Sequence, residues 1–321
     1  MYGAFTLDGN DAYAYYGAFV VDKGFNGVAQ WPGLKSYDEN NWQEEDGVEA
    51  DLSSPVLNTR DLTITFGFNG VNKDAYAFVV DLLTGSYHTF AFTGIGRTLN
   101  LRLVSSPSIN DWDSIAELKL TFADDFPLDG YTRIAPETCI DEPLLFNGKV
   151  LYFGDEQIVF HFDGVPALDA NSCEECTIDE TKLVEYGVRL LDGTLNNVRK
   201  VPDVKKGLLR NISVVSGAEY DPYIAYDGTT KKNVPTTSKT VTLKCVALAL
   251  NFAQYWRNMD VLLYDLTQSG ARELYIDAYG KTLDVAYSSM SVSDFGLFGK
   301  VVACRFDLTL KVLADRPSAE S

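Results

Sequence analysis

Alternating apolar and polar positions mark one strand that begins near residue 60 and another that begins near residue 240. An alternation with a period of two indicates a strand with one face buried. The apolar positions of this series are Leu62, Ile64, Phe66 and Phe68 in the first segment and Val241, Leu243 and Cys245 in the second. The two segments predict two similar, half-buried strands.

A helical pattern follows each of these strands. Apolar residues recur at three- and four-residue spacing, which indicates an amphipathic helix. The two stripes are Ala75, Phe78, Val79, Leu82 and Leu83, and Phe252, Tyr255, Trp256, Met259, Leu263 and Leu266. Asn72 is the predicted N-cap of the first helix, and Gly85 and Gly270 are predicted to close the two helices. Three strands are predicted after each helix.

Similar phrases recur in the same order in the two parts of the chain. The matches are GRTLN from Gly96 with GKTLD from Gly280 (184 residues apart), DLLTGS from Asp81 with DLTQSG from Asp265 (184), RDLTITF from Arg60 with KTVTLKC from Lys239 (179), and TLDGNDAYAYYG ending at Gly17 with TIDETKLVEYG ending at Gly187 (170). A repeat of this length predicts a duplicated domain and excludes a solenoid of short repeats.

The predicted fold is mainly β, with a sandwich or barrel and one flanking helix in each of two tandem domains. Residues 1–128 form copy 1 and residues 176–313 form copy 2. Residues 129–175 have no counterpart, and the FNGK turn within them predicts a β-hairpin insert, either a small subdomain or an arm that contacts a neighbour. Residues 314–321 are a polar tail, expected to be flexible.

The Gly280-Lys281-Thr282 tripeptide resembles the end of a phosphate-binding loop. The full motif has a glycine five residues before the Gly-Lys pair, and here that position is Tyr275. Because a similar phrase occurs in copy 1, we predict a hairpin turn here and no nucleotide or other cofactor.

The net charge of −18 over 321 residues argues against a protein that grips nucleic acid, because neutralising phosphates requires clustered lysine and arginine. The acidic balance either serves solubility or faces DNA that slides past without adhering. We expect no secretory signal peptide and no membrane insertion, since the chain shows neither a basic-then-apolar start nor a long apolar run. The five cysteines indicate reduced thiols made in a cytosol, with Cys245 and Cys304 in the core.

Candidate catalytic and metal groups are sparse, and we predict neither a catalytic nor a metal site. The Cys173–Cys176 pair lacks a second pair that would complete a zinc site, and His88 and His161 both lie in predicted strands. The carboxylate runs are Glu44, Glu45 and Asp46, and Asp124 and Asp125; solvated loops are the simpler interpretation than a glycosidase pair. A sugar-stacking platform or ordinary core and interface remain alternative interpretations of Tyr13, Tyr15, Tyr16, Trp31, Trp42 and Trp112.

Two long irregular segments, residues 24–58 and 205–238, precede the core strand of each copy. Loops of this length in a compact domain are usually binding or assembly elements. The predicted assembly residues are Trp31, Trp42, Glu44, Glu45 and Asp46 in the first segment and Tyr220, Tyr223, Lys231 and Lys232 in the second.

The stretches TLDGNDAYAYYGAFVV, WQEEDGVEADLSSPVLNTRDLTITFGF and FTGIGRTLNLRLVSS of copy 1 resemble the N-terminal domain of phage distal tail proteins and, more broadly, the tail-tube and baseplate-hub fold. The resemblance covers about 125 residues in copy 1 and extends more faintly to copy 2. Many distal tail proteins carry an unrelated galectin-like second domain, and this chain departs from them there.

The resemblance implies a virion structural protein of the tail tip, made in the bacterial host cytoplasm. It implies a self-assembled ring, either a trimer with pseudo-six-fold symmetry or a hexamer, with tail tube and tip or fibre proteins as partners. DNA would pass through the lumen without specific binding. A glycan-binding β-sandwich for host attachment is the alternative, and an enzyme is the third hypothesis.

Overall fold

The computed structural model describes residues 3–21, 24–40, 49–70, 73–105, 108–111, 115–137, 144–146, 149–151, 176–199, 225–226, 232–233, 236–276, 281–298 and 301–315. The fold is mainly β, as predicted, and is built on two curled antiparallel sheets with few helices. Each sheet carries one flanking helix, α3 (Ala75–Leu82) on the first and α4 (Phe252–Leu266) on the second. Shorter helical turns are α1 (Ala12–Tyr16), α2 (Asn26–Ala29) and the 3-10 turn η1 (Leu183–Tyr186).

The first sheet has the strand order β2-β1-β7-β8-β10-β6-β3, with β9 paired to β10. Its strands are β1 (Thr6–Leu7), β2 (Asn10–Asp11), β3 (Ala18–Val20), β6 (Arg60–Asn69), β7 (His88–Phe92), β8 (Arg97–Leu103), β9 (Ser108–Asp111) and β10 (Ile115–Asp124). Outside this sheet, β4 (Glu39–Asn40) pairs with β5 (Glu49–Ala50). The hairpin of β11 (Leu144–Phe146) and β12 (Lys149–Leu151) matches the hairpin predicted around FNGK.

The second sheet has the order β14-β13-β19-β20-β21-β18-β15. Its strands are β13 (Cys176–Ile178), β14 (Thr181–Lys182), β15 (Val188–Arg199), β18 (Thr236–Ala249), β19 (Arg272–Ile276), β20 (Lys281–Phe298) and β21 (Val301–Asp315), while β16 (Ala225–Tyr226) pairs with β17 (Lys232–Asn233). Taken in chain order and leaving out β9, the strands of the two sheets follow the same permutation. The last strand runs two residues past the predicted domain end at 313.

The pairing registers of the two sheets correspond under the sequence offsets. Ala18 pairs with Phe68 in the first sheet, and Val188 and Ala247, which lie 170 and 179 residues later, pair with each other in the second. Likewise His88 pairs with Leu101, and the residues 184 positions later, Arg272 and Val285, pair with each other. A one-residue slip would turn every side chain to the opposite face, so matching registers keep equivalent positions in both cores.

The first hairpin of each sheet turns in the same way. Asp8 and Gly9 have φ of 49° and 85°, and Asp179 and Glu180 have φ of 47° and 67°. Two consecutive positive φ values fit the twist of the flanking strands. The Asp8 carboxylate accepts from the Thr89 amide and the Asp179 carboxylate from the Glu273 amide, both at 2.7 Å. Each turn is thereby fixed to the neighbouring strand.

The N-cap of α3 and the ends of both helices differ from the predictions. Asp74, not Asn72, caps α3, because its carboxylate accepts from the Ala77 amide at 2.8 Å; Asn72 lies outside the described residues. The helices end at Leu82 and Leu266, before the predicted glycines, and Gly270 instead turns the chain with φ of 85°. Ile276 pairs with Lys281 and Tyr275 with Thr282, so Lys281 and Thr282 begin the second strand of an antiparallel pair, and Gly280 lies outside the described residues.

The predicted core cysteines are confirmed. Cys245 and Cys304 are fully buried free thiols. Burial raises the pKa of the Cys304 thiol to about 12, and burial likewise raises the pKa of the Cys245 thiol well above its usual value. None of the helices in the described part of the chain is long and apolar enough to cross a membrane.

Candidate functional site: the junction between the two sheets

The first sheet contacts the second through non-equivalent elements of the two sheets. Residues 25–39 and the β7–β8 turn belong to the first half of the chain, and they contact β20, β21 and α4 of the second half. We call this contact the junction. The segment within residues 24–58 that was predicted for assembly therefore supplies much of a contact inside the chain.

Amide side chains in and next to α2 form hydrogen bonds with backbone groups of β20. The Gln30 side-chain amide donates to the Met290 carbonyl and accepts from the Val292 amide, the latter at 3.0 Å. Asn26 donates to the Ser293 carbonyl at 3.0 Å. The two amide side chains thus satisfy strand groups of β20 that would otherwise need another partner.

Trp31 lies in the apolar part of the junction and is only 7% exposed. Its ring centroid lies 6.0 Å from that of Tyr287 and 6.2 Å from that of Phe306. The Tyr287 hydroxyl donates to the Pro32 carbonyl at 2.7 Å, and burial raises the pKa of that hydroxyl. The structure thus places Trp31 against the second sheet of its own chain, not on an outer surface.

The β7–β8 turn covers one face of α4. Trp256 Nε1 donates to the Ile95 carbonyl at 2.7 Å, and the Arg97 guanidinium lies 4.8 Å above the Trp256 ring. Arg97 also makes a two-pronged ion pair with Asp260, with Nη2 to Oδ1 at 3.0 Å. A planar guanidinium that pairs with a carboxylate and stacks on an indole fixes the turn in one orientation.

The chain after β10 lies along the same helix. Arg133 pairs with the Asp265 carboxylate at 2.6 and 2.8 Å, and the Asn258 side chain accepts from the Glu137 amide at 2.7 Å. The Tyr131 and Tyr264 rings pack with centroids 5.5 Å apart. The start of the 129–175 insert therefore binds the second half of the chain, and residues 138–143 and 152–175 lie outside the described residues.

Arg60 connects the first sheet to the segment that forms the junction. Its guanidinium pairs with Asp124 at 2.6 Å and donates to the Gln30 carbonyl at 2.9 Å and the Val28 carbonyl at 3.2 Å. The Arg60 side chain is 7% exposed. Burial lowers the pKa of Arg60, and the Asp124 charge opposes that effect. Arg60 therefore ties strands β6 and β10 to the segment that reaches the second sheet.

The two adjacent carboxylates of Asp124 and Asp125 bind different arginines. Asp124 faces Arg60, and Asp125 accepts from Arg102 at 2.8 and 3.0 Å and from the Tyr87 hydroxyl at 2.8 Å. The hydrogen bonds from Arg102, helped by that from Tyr87 and opposed by burial, lower the pKa of Asp125 to about 2. A general acid would need the opposite shift.

This lowered pKa predicts a stability change in acid. The contribution of the Asp125 ion pair is present above the ordinary pKa of 3.8 and is lost as the pH falls from there through about 2. Asp125→Asn is expected to flatten the pH dependence of the free energy of unfolding in that window, measured by urea unfolding. Asp129→Asn removes the same charge elsewhere and should keep the wild-type slope; equal slopes in wild type and Asp125→Asn would contradict the prediction.

The sugar-stacking platform considered as an alternative for these aromatic residues is not assembled by the described residues. Trp31 is buried in the junction, and Tyr16 is buried with its hydroxyl donating to Asp81. Tyr13 and Tyr15 remain exposed on α1, by 44% and 62%. Trp42 and Trp112 lie outside the described residues.

Most of the other predicted assembly residues also lie outside the described residues. They are Glu44, Glu45, Asp46, Tyr220, Tyr223 and Lys231, and Lys232 is described only as part of the backbone of β17. Arg60, Arg97 and Asp260 were not among the residues predicted for assembly or for a site. The sequence contained one signal of the junction. The apolar residues of α4 cover too wide an arc of the helix for one contact face, which indicates a helix buried on two sides.

Comparison with solved structures gives a weak structural likeness. No family model matches the chain, and no curated protein matches it. The crystal structure of the SPP1 Dit protein, titled a paradigm of the hub adsorption apparatus in phages that infect Gram-positive hosts, aligns over 96% of this chain and 97% of that one. The sequence identity is 9% and the TM-score is 0.28. A likeness at this level carries no argument about fold or function.

Proposed function

We propose that this chain is a structural subunit of a phage tail tip or baseplate that assembles into a ring around the DNA channel and joins the tail tube to the tip. The observation that carries the proposal is the junction, which joins non-equivalent surfaces of two sheets with the same strand order. The sequence resemblance of copy 1 to distal tail proteins points in the same direction.

The junction has the geometry of a repeating contact. Strands β20 and β21 and helix α4 are the second-sheet counterparts of β8, β10 and α3, whereas the turn that contacts α4 belongs to the β7–β8 hairpin of the first sheet. A head-to-tail contact of this kind, repeated between chains, would use α3 of the first sheet and the β19–β20 edge of the second. If the same contact repeats between chains, it builds a closed ring when the rotation from one unit to the next closes after a whole number of units. Otherwise it builds an open filament.

A duplicated chain fits a ring of six similar units. If both sheets take part, three chains form a ring with pseudo-six-fold symmetry. If the first sheet alone forms the ring, six chains are required and the second sheet lies outside. The acidic balance of the chain suits a channel that DNA crosses without adhering. In this function the chain acts by assembly, as a virion component, without chemistry of its own.

The proposal predicts closed rings with a central channel in electron micrographs of the purified full-length chain. Light scattering on the same samples counts the chains, with three or six expected. A closed two-fold dimer would contradict the proposal, because a two-fold contact joins equivalent surfaces. A chain that stays monomeric at all concentrations would also contradict unaided ring formation.

Glycan binding is a second candidate because Tyr13 and Tyr15 present exposed rings on α1. Aromatic faces of this kind can stack on sugars. The discriminating measurement is a glycan array with the wild-type chain and with the double variant Tyr13→Ala/Tyr15→Ala. Binding lost in the double variant would favour attachment to a host surface over a purely architectural role.

A further inference from the structure

The outer face of α3 is unusually apolar for a solvent-exposed helix surface. Tyr76, Val80 and Leu83 are exposed by 73%, 43% and 64%. They are spaced four and three residues apart, so they form one continuous stripe. A grouped apolar surface of this kind marks an interaction site more often than a single exposed apolar residue does.

The equivalent face of α4 is covered within the chain. Asp81 and Asp265 fix the correspondence, because each accepts a hydrogen bond from the tyrosine before its third strand, Tyr16 or Tyr186. With the same offset of 184 residues, Tyr76 corresponds to Asp260 and Val80 to Tyr264.

Both α4 positions are in contact with residues from the first half of the chain. Asp260 pairs with Arg97 of the β7–β8 hairpin, and Tyr264 packs against Tyr131. Their counterparts Tyr76 and Val80 are left exposed on α3.

We propose that the α3 surface, defined as Tyr76, Val80 and Leu83, binds strands β19 and β20 of a second copy of this chain, at the edge where Ile276 pairs with Lys281. These strands are the counterparts of the β7–β8 hairpin that covers α4, and Lys281 begins β20 as Arg97 begins β8. The contact rests on the proposed ring and names its chain-to-chain surface. It is more apolar than the junction, since Tyr76 stands where Asp260 receives an arginine.

Tyr76→Glu is the sharpest test of this surface. Position 76 lies in the first turn of α3, where a carboxylate interacts favourably with the helix dipole, so folding should be preserved. A buried charge at the contact should weaken self-association by about tenfold or more, as loss of an aromatic contact does at interface centres. The measurement is sedimentation equilibrium of the full-length chain, with thermal unfolding as the folding check.

Val184→Glu is the matched control. Val184 is also the second residue of its helical turn and is 43% exposed, as Val80 is. It lies on η1, whose counterpart α1 makes none of the junction contacts described above. Wild-type association in Val184→Glu together with weakened association in Tyr76→Glu supports the proposal. Equal association in the two variants overturns the α3 surface while leaving the ring itself standing.

A photo-crosslinker identifies the occupant. With benzoylphenylalanine at position 76, the expected crosslink joins α3 of one chain to a peptide within residues 272–285 of another. A crosslink between two α3 helices would overturn the proposed pairing and, since it implies a two-fold contact, the ring as well. Rings that persist while position 76 captures no second chain would overturn only the surface.

Discussion

Arg60→Leu is expected to lower the free energy of unfolding by about 3–5 kcal/mol, the usual cost of breaking a buried ion pair from one side. The substitution leaves the Asp124 carboxylate buried without its cation. It also removes the donor that the Val28 and Gln30 carbonyls share. The loss should appear in urea unfolding as a lower midpoint with an unchanged slope.

Two further variants separate the ion pair from other effects. Arg60→Leu/Asp124→Leu removes both charges and should recover part of the lost stability, because a pair of apolar residues avoids the desolvation cost. Arg102→Leu breaks the more exposed pair with Asp125 and should cost much less. If Arg60→Leu and Arg102→Leu destabilise the chain equally, the buried pair does not have the role assigned to it.

Trp256→Ala is expected to cost about 3–5 kcal/mol, typical of a large aromatic residue deleted from a core. Trp256 packs against Tyr255 and Phe295, supports Arg97 on its ring and donates to Ile95. Its loss removes the hydrogen bond to Ile95 and the ring under Arg97, and leaves the Arg97–Asp260 pair as the remaining described contact between the β7–β8 hairpin and α4. We therefore expect the two halves to unfold less cooperatively, as two transitions in thermal unfolding followed by calorimetry.

Trp256→Phe is the control for this prediction. It keeps an aromatic ring under Arg97 and loses only the donor to the Ile95 carbonyl, so its cost should be smaller and its transition single. A single, wild-type-like transition in Trp256→Ala would show that the junction does not couple the halves through this helix.

The two sheets were predictable because their information is local and repeated. Alternation located β6 and β18, and the offset of 184 residues anticipates matching registers such as His88 with Leu101 and Arg272 with Val285. The α3 cap was missed because Asn72 and Asp74 are both good capping residues two positions apart, and only the hydrogen bond to Ala77 distinguishes them.

The junction was not predictable from pattern. Gln30 meets Met290 and Val292 about 260 positions along the chain, and no periodicity relates residues so far apart. Trp31 was predicted as an assembly residue of a long loop, and the sequence could not show that its partners, Tyr287 and Phe306, belong to the same chain. The single arginine at position 60 gives no sequence signal of its burial.

The connection of the two sheets within one polypeptide has a kinetic consequence. Residues 125–137 run from the end of β10 directly along α4. The junction partners are therefore held at a high effective concentration within one chain and form their contact without a bimolecular encounter. Dilution therefore leaves the junction intact, whereas any contact between separate chains weakens with dilution. Each chain therefore reaches a neighbouring chain with its two sheets already joined. The chain concentration affects only the contacts between chains.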